Sequence, residues 1–193
     1  MKQTFKYLDV PNHQLVSDQV YDFIVNQTDI LKPRIPVFFN DVNTMHILDH
    51  APALKDFLRE RYLDPSLISI VVVTADETPY LHVDTIDPYV RLLWPVRNCE
   101  NTVTKMYDVP REFLALDWKN NHSTNTYYDI VEQRDWPLVA EIELTRPVVL
   151  DVSVAHAVHP AKDATDHRIS FTIGFDRDLP ISRSIRAWFG FQR

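Results

Sequence analysis

The sequence predicts a mainly-β domain, a sandwich or barrel preceded by short helices. Three observations carry this. From residue 67 onward the chain passes through about eight short runs rich in β-branched and aromatic residues, separated by turn signals. Helical spacing of apolar residues is confined to the first third. Thirteen prolines stand against two glycines, so proline punctuates the loops.

Taken in order, residues 17–25 read as a short helix with Ser17 as its N-cap. Pro33 and Pro36 then break the chain. Residues 52–63 read as a second helix: Leu54, Phe57, Leu58 and Tyr62 recur at helical spacing, while Lys55, Asp56, Arg59 and Glu60 face outward. Residues 67–74 are nearly continuous in apolar, β-branched side chains, the pattern of a strand buried on both faces. Residues 80–84, 90–96, 103–109 and 112–117 follow as β-like runs. Residues 118–125 are polar and read as a loop. Residues 127–131, 138–144, 148–154 and 168–175 complete the set. With no repeat, low-complexity tract or linker, 1–193 is expected to be one domain. Residues 1–66 form a helical or mixed support, 67–176 a β-barrel core and 177–193 a tail packing on the core. The tail holds Arg183, Arg186, Trp188, Phe189, Phe191 and Arg193. It reads as a last strand or short helix on the barrel, and its composition also suits a homodimer contact.

Composition narrows the function classes. A chain of 193 residues suits one domain with a full core. Its 45% hydrophobic and 24% charged residues are ordinary for a soluble globular protein. The strongest apolar run, 67–73, is strand-sized rather than membrane-spanning. The first residues lack the apolar segment of a secretory signal, so a cytoplasmic location is expected. The single Cys99 excludes an intrachain disulfide. A net charge of −7 disfavours a broad nucleic-acid surface. Two glycines leave neither a phosphate-binding loop nor a dinucleotide fingerprint.

The chemistry-bearing residues are few. In His82-Val83-Asp84 the histidine and carboxylate are two residues apart, so on a strand both point to one face. As a short motif it equally describes a surface pair at a strand end. His156 follows an apolar strand, and Arg168 comes twelve residues later. On the Arg168 strand, Arg168, Ser170 and Thr172 share one face while Ile169, Phe171 and Ile173 share the other. The polar face is either solvated or an inner wall that binds an anion, with Arg168 as a bidentate carboxylate clamp. Two imidazoles, one carboxylate and one guanidinium suit a non-haem iron(II) site with a dicarboxylate cosubstrate.

In this order the residues resemble the iron(II)- and 2-oxoglutarate-dependent dioxygenases, whose pattern is His-x-Asp, a distal His, then Arg-x-Ser, on a double-stranded β-helix (jelly-roll or cupin-like). The resemblance covers residues 67–176 and is strongest at 80–84, 90–98 and 148–175. It is greatest toward the aspartyl/asparaginyl β-hydroxylase-like and prolyl-hydroxylase-like branches. Those often carry an arginine on the strand after His-x-Asp, and Arg91 lies nine residues beyond His82. The resemblance implies that His82, Asp84 and His156 bind Fe(II). Arg168 and Ser170 hold the far carboxylate of 2-oxoglutarate, with Arg91 and Tyr80 as further holders of the cosubstrate. O2 is the co-reactant, and an amino acid, peptide side chain or small metabolite is hydroxylated as 2-oxoglutarate is decarboxylated to succinate.

Two features depart from the family pattern. The distance from His156 to Arg168 is longer than usual, and His159 lies nine residues before Arg168. The string Val154-Ala-His156-Ala-Val fits the family better, and a short insertion within residues 160–167 accounts for the difference. Gly174 stands where the nucleic-acid demethylase branch has a second arginine, which disfavours that branch. The rival reading is a cupin-like metal-binding or structural module without oxidative activity, which requires neither Arg168 nor Ser170. A cupin enzyme lacking 2-oxoglutarate wants a His-x-His pair, which does not occur. Substrate specificity is expected at residues 85–89, 118–125 and 160–167.

Overall fold

The alternation on the last strand organises the molecule. In this computed structural model the described residues are 4–26, 41–73, 80–84, 90–114, 118–121, 126–132, 134–161 and 165–175. The strands are β1 (Phe5–Tyr7), β2 (Pro65–Val73), β3 (His82–Asp84), β4 (Val90–Arg97), β5 (Thr102–Tyr107), β6 (Trp118–Asn121), β7 (Thr126–Ile130), β8 (Leu138–Glu143), β9 (Val148–Asp151), β10 (Ala155–Pro160) and β11 (Arg168–Phe175). The helices are α1 (His13–Asn26), α2 (Asp41–His50) and α3 (Pro52–Glu60), all between β1 and β2.

Two antiparallel sheets form, one ordered β1-β9-β4-β11-β2 and the other β6-β7-β3-β10-β5-β8. From β2 to β5, and again from β8 to β11, the chain passes between the sheets, which is the winding of a double-stranded β-helix. The odd-numbered apolar residues of β11, Ile169, Phe171 and Ile173, pack with Leu92 and Trp94 of β4 beneath the helices. There they meet Val20, Phe23 and Ile24 of α1 and Leu54 and Phe57 of α3. Trp94 is wholly buried, stacked 5.7 Å from Phe171 and edge-on to Phe57 at 5.2 Å, and its Nε1 donates to His13 O at 3.2 Å. The same alternation turns Arg168, Ser170 and Gly174 toward the other sheet. Leu93, Val148 and Leu150 of the first sheet pack there with Met106 and Ile142 of the second. The helices thus dry one face of β11, and the space between the sheets takes its polar face.

The structure corrects three local readings and adds one helix. Ser17 is no N-cap: α1 begins at His13, after Asn12 at φ 59°, and the buried Ser17 hydroxyl donates to Pro95 O at 2.6 Å. Residues 41–50 form a helix that the pattern does not announce, because its anchoring is tertiary. Ile47 is fully buried, and the Thr44 hydroxyl accepts from Ile68 N of edge strand β2 at 3.0 Å. Of the run 112–117, the described part, 112–114, is not strand: it continues and leaves a 3-10 turn, Arg111–Phe113, entered through Pro110. Residues 118–121 are not loop but strand β6, since pairing with β7 overrides polar composition. The tail, 177–193, and the expected rim at 85–89 lie outside the described residues. No helix among the described residues is long and apolar enough to cross a membrane.

Candidate metal centre

Strand register brings the first histidine and the distal one together. His82 on β3 pairs directly with His156 on β10. Directly paired residues project from the same face, so the two rings adjoin, with centroids 4.3 Å apart. Asp84, two residues along β3, shares that face, and its Oδ1 is 3.8 Å from His82 Nε2. The ligand atoms of His82, Asp84 and His156 all lie within 4.8 Å of one another.

Each imidazole is oriented by the same local device. His82 Nδ1 lies 3.2 Å from Tyr80 O, and His156 Nδ1 lies 2.9 Å from Val154 O. A carbonyl accepts, so Nδ1 carries the proton and Nε2 keeps its lone pair for a metal. Burial, reinforced by neighbouring His156, pushes the His82 pKa down to about 4 against the pull of Asp84. His82 is therefore neutral near pH 7, as a metal ligand must be.

Arg168, on the inward-facing side of β11, is 2% exposed. Among the described residues, the buried side-chain nitrogens and oxygens without a hydrogen-bond partner are Arg168 Nε and Nη1, Ser170 Oγ and Thr104 Oγ1. All sit on residues whose strand parity turns them between the sheets. The Cys99 side chain lies beside the guanidinium, and burial pushes its thiol pKa up. It therefore offers no carboxylate-like charge. Buried donors left unmade are costly, so this cluster fits an anion with several acceptor oxygens. The donor set of the triad, two imidazoles and one carboxylate, fits a divalent transition metal with open positions.

The remaining predicted residues separate. Arg91 lies beside Gly174, six residues along β11 from Arg168, so roughly 20 Å away at strand rise. Its Nε is 4.0 Å from Asp84 Oδ2. The Tyr80 ring lies tilted against that of His82, with centroids 4.9 Å apart. His159, three residues past His156, points to the outer face of β10, where its Nε2 is 3.3 Å from the Tyr107 hydroxyl. Thr104 was missed by the sequence reading. Its signal was the alternation in β5, where Thr102, Thr104 and Met106 are buried against half-exposed Val103, Lys105 and Tyr107.

Fold and cluster define a double-stranded β-helix protein with a two-histidine, one-carboxylate centre on its inner wall. Among solved structures it is similar to AviO1 from Streptomyces viridochromogenes Tue57, with a TM-score of 0.56 and 13% identity over 93% of this chain and 92% of that one. A prolyl-4-hydroxylase from Pseudomonas putida overlaps at 0.45 with 15% identity, over 91% of this chain and 88% of that one. The epimerase SnoN, in complex with Fe3+, alpha ketoglutarate and nogalamycin RO, overlaps at 0.47 with 10% identity, over 93% and 86%. At these identities the likeness is one of fold. No family model and no curated protein matches the chain.

Proposed function

We propose that the chain is an iron(II)- and 2-oxoglutarate-dependent oxygenase, a hydroxylase of an amino acid, peptide side chain or small metabolite. The observation that carries this reading is the set of orphaned donors on Arg168, Ser170 and Thr104, residues that strand parity turns between the two sheets that also carry the triad. A protein that merely held a metal would have no use for a buried guanidinium with two orphaned donors. In this reading His82, Asp84 and His156 hold the iron through Nε2, a carboxylate oxygen and Nε2. Iron(II) with 2-oxoglutarate supplies oxidation of a C–H bond by O2, coupled to decarboxylation of the cosubstrate to succinate.

The chain's own part is binding, orientation and exclusion. Arg168, Ser170 and Thr104 offer four donor atoms to the cosubstrate's far carboxylate, which sets its reach toward the triad. The carbonyls of Tyr80 and Val154 fix both imidazole planes before any metal arrives. Met106, Leu93 and Leu150 wall the interior with apolar surface and keep water from the donors. Asp84→Ala and His156→Ala should each abolish metal-dependent conversion of 2-oxoglutarate to succinate. Wild-type rates of succinate formation in either variant would sink the assignment.

A further inference from the structure

One of the chain's two glycines stands at 174, inside β11, a central strand. Glycine weakens a strand interior and commonly marks close approach by another group. The backbone does not demand it, since its φ lies outside the left-handed range. What lies over it does. A Cβ at 174 would touch Arg91 Cζ and Nη1 at 3.4 Å and Leu67 Cβ at 3.5 Å. Alanine would just fit, whereas a branched side chain would displace the guanidinium. Seated there, Arg91 has its Nε 4.0 Å from Asp84 Oδ2, while Asp84 Oδ1 is 3.8 Å from His82 Nε2. The two oxygens of one carboxylate face two different partners. Both side chains are largely buried, at 8% and 15% exposed, so solvent screens their attraction little.

We infer that Arg91 is a positioning residue that, seated over Gly174, holds Asp84 Oδ2 back so that Asp84 offers a metal one oxygen only. The inference rests on the reading of His82, Asp84 and His156 as metal ligands. A guanidinium beside the centre repels a dication and withholds a ligand oxygen, so Arg91 lowers metal affinity. In exchange it keeps room on the metal for a chelating cosubstrate. An arginine that only braced the fold would act the other way, and its loss would loosen the site and weaken metal binding.

Mn(II) titration, read from the EPR signal of the free ion, separates these. Arg91→Met and Gly174→Val should bind Mn(II) about threefold or more tighter than wild type, while Arg91→Lys, which keeps the charge, stays within about twofold. The Mn(II) form of Arg91→Met should also bind 2-oxoglutarate several-fold more weakly. Gly174→Val leaves the arginine in the chain, so it carries the test alone if Arg91→Met does not fold. Equal or weaker Mn(II) binding by the folded variants overturns the positioning role, provided wild type binds Mn(II) and Asp84→Ala does not. No Mn(II) binding by wild type, or binding by Asp84→Ala as tight as wild type, overturns the metal reading itself and this inference with it.

Discussion

Replacing Arg168 by methionine should make the metal-free protein more stable while destroying its response to 2-oxoglutarate. Arg168 is 2% exposed and two of its donors, Nε and Nη1, have no hydrogen-bond partner. Each unsatisfied buried donor costs about 1–3 kcal/mol. The contact with Cys99 offsets part of this, leaving a net gain of roughly 2 kcal/mol. For a domain of this size one kcal/mol moves the melting temperature by about 2–4 °C, so the variant should melt about 4–8 °C higher. Wild type recovers the difference with its ligand: at a hundredfold excess over Kd, binding adds about 2.7 kcal/mol. The assay is thermal melting by circular dichroism with Mn(II), with and without 2-oxoglutarate. The order of stability should invert on adding the cosubstrate. A variant that melts below wild type without ligand, or that still shifts with 2-oxoglutarate, refutes the reasoning.

Two further outcomes follow from the same geometry. Ser170→Ala and Thr104→Val should each weaken 2-oxoglutarate binding about tenfold, the worth of one hydrogen bond to a charged group, without loss of thermal stability. Unchanged affinity in both by calorimetry would remove those hydroxyls from the anion site. His82 has a folded pKa of about 4, below its ordinary 6.5, so between these values the unfolded chain holds the extra proton. Its contribution is fully present above pH 6.5 and is lost as pH falls toward about 4, by up to about 3 kcal/mol in the metal-free protein. Urea midpoints across that window should fall more steeply for wild type than for His82→Asn, and parallel slopes would contradict the burial of a neutral imidazole.

The fold class was legible because alternation is strict where it matters. Ile169, Phe171 and Ile173 against Arg168 and Ser170 describe β11 to the residue, and the helices cover the face that the apolar set presents. The buried polar face of β11 was legible for the same reason. What separates His156 from His159 is parity: three apart on a strand, they take opposite faces. Which face turns inward depends on the pairing with β3, a contact between segments far apart in sequence. Helix α2 was invisible because its stability comes from packing against β2 rather than from a marked apolar stripe. Ser17 misled because a serine ahead of an apolar run reads as a cap, while here a carbonyl from β4 claims its hydroxyl. Thr104 was within reach, since Lys105 and Tyr107 mark the outer face of β5 and leave Thr104 and Met106 to the inside.

We propose that His82, Asp84 and His156 hold iron within reach of a cosubstrate clamped by Arg168. Anaerobic Fe(II) titration with and without 2-oxoglutarate tests it most directly. A metal-to-ligand charge-transfer band should appear only when both are present, and should vanish in Asp84→Ala and Arg168→Met. Fe(II) binding with no such band in the wild-type protein would contradict the account and leave a metal-binding barrel without this chemistry.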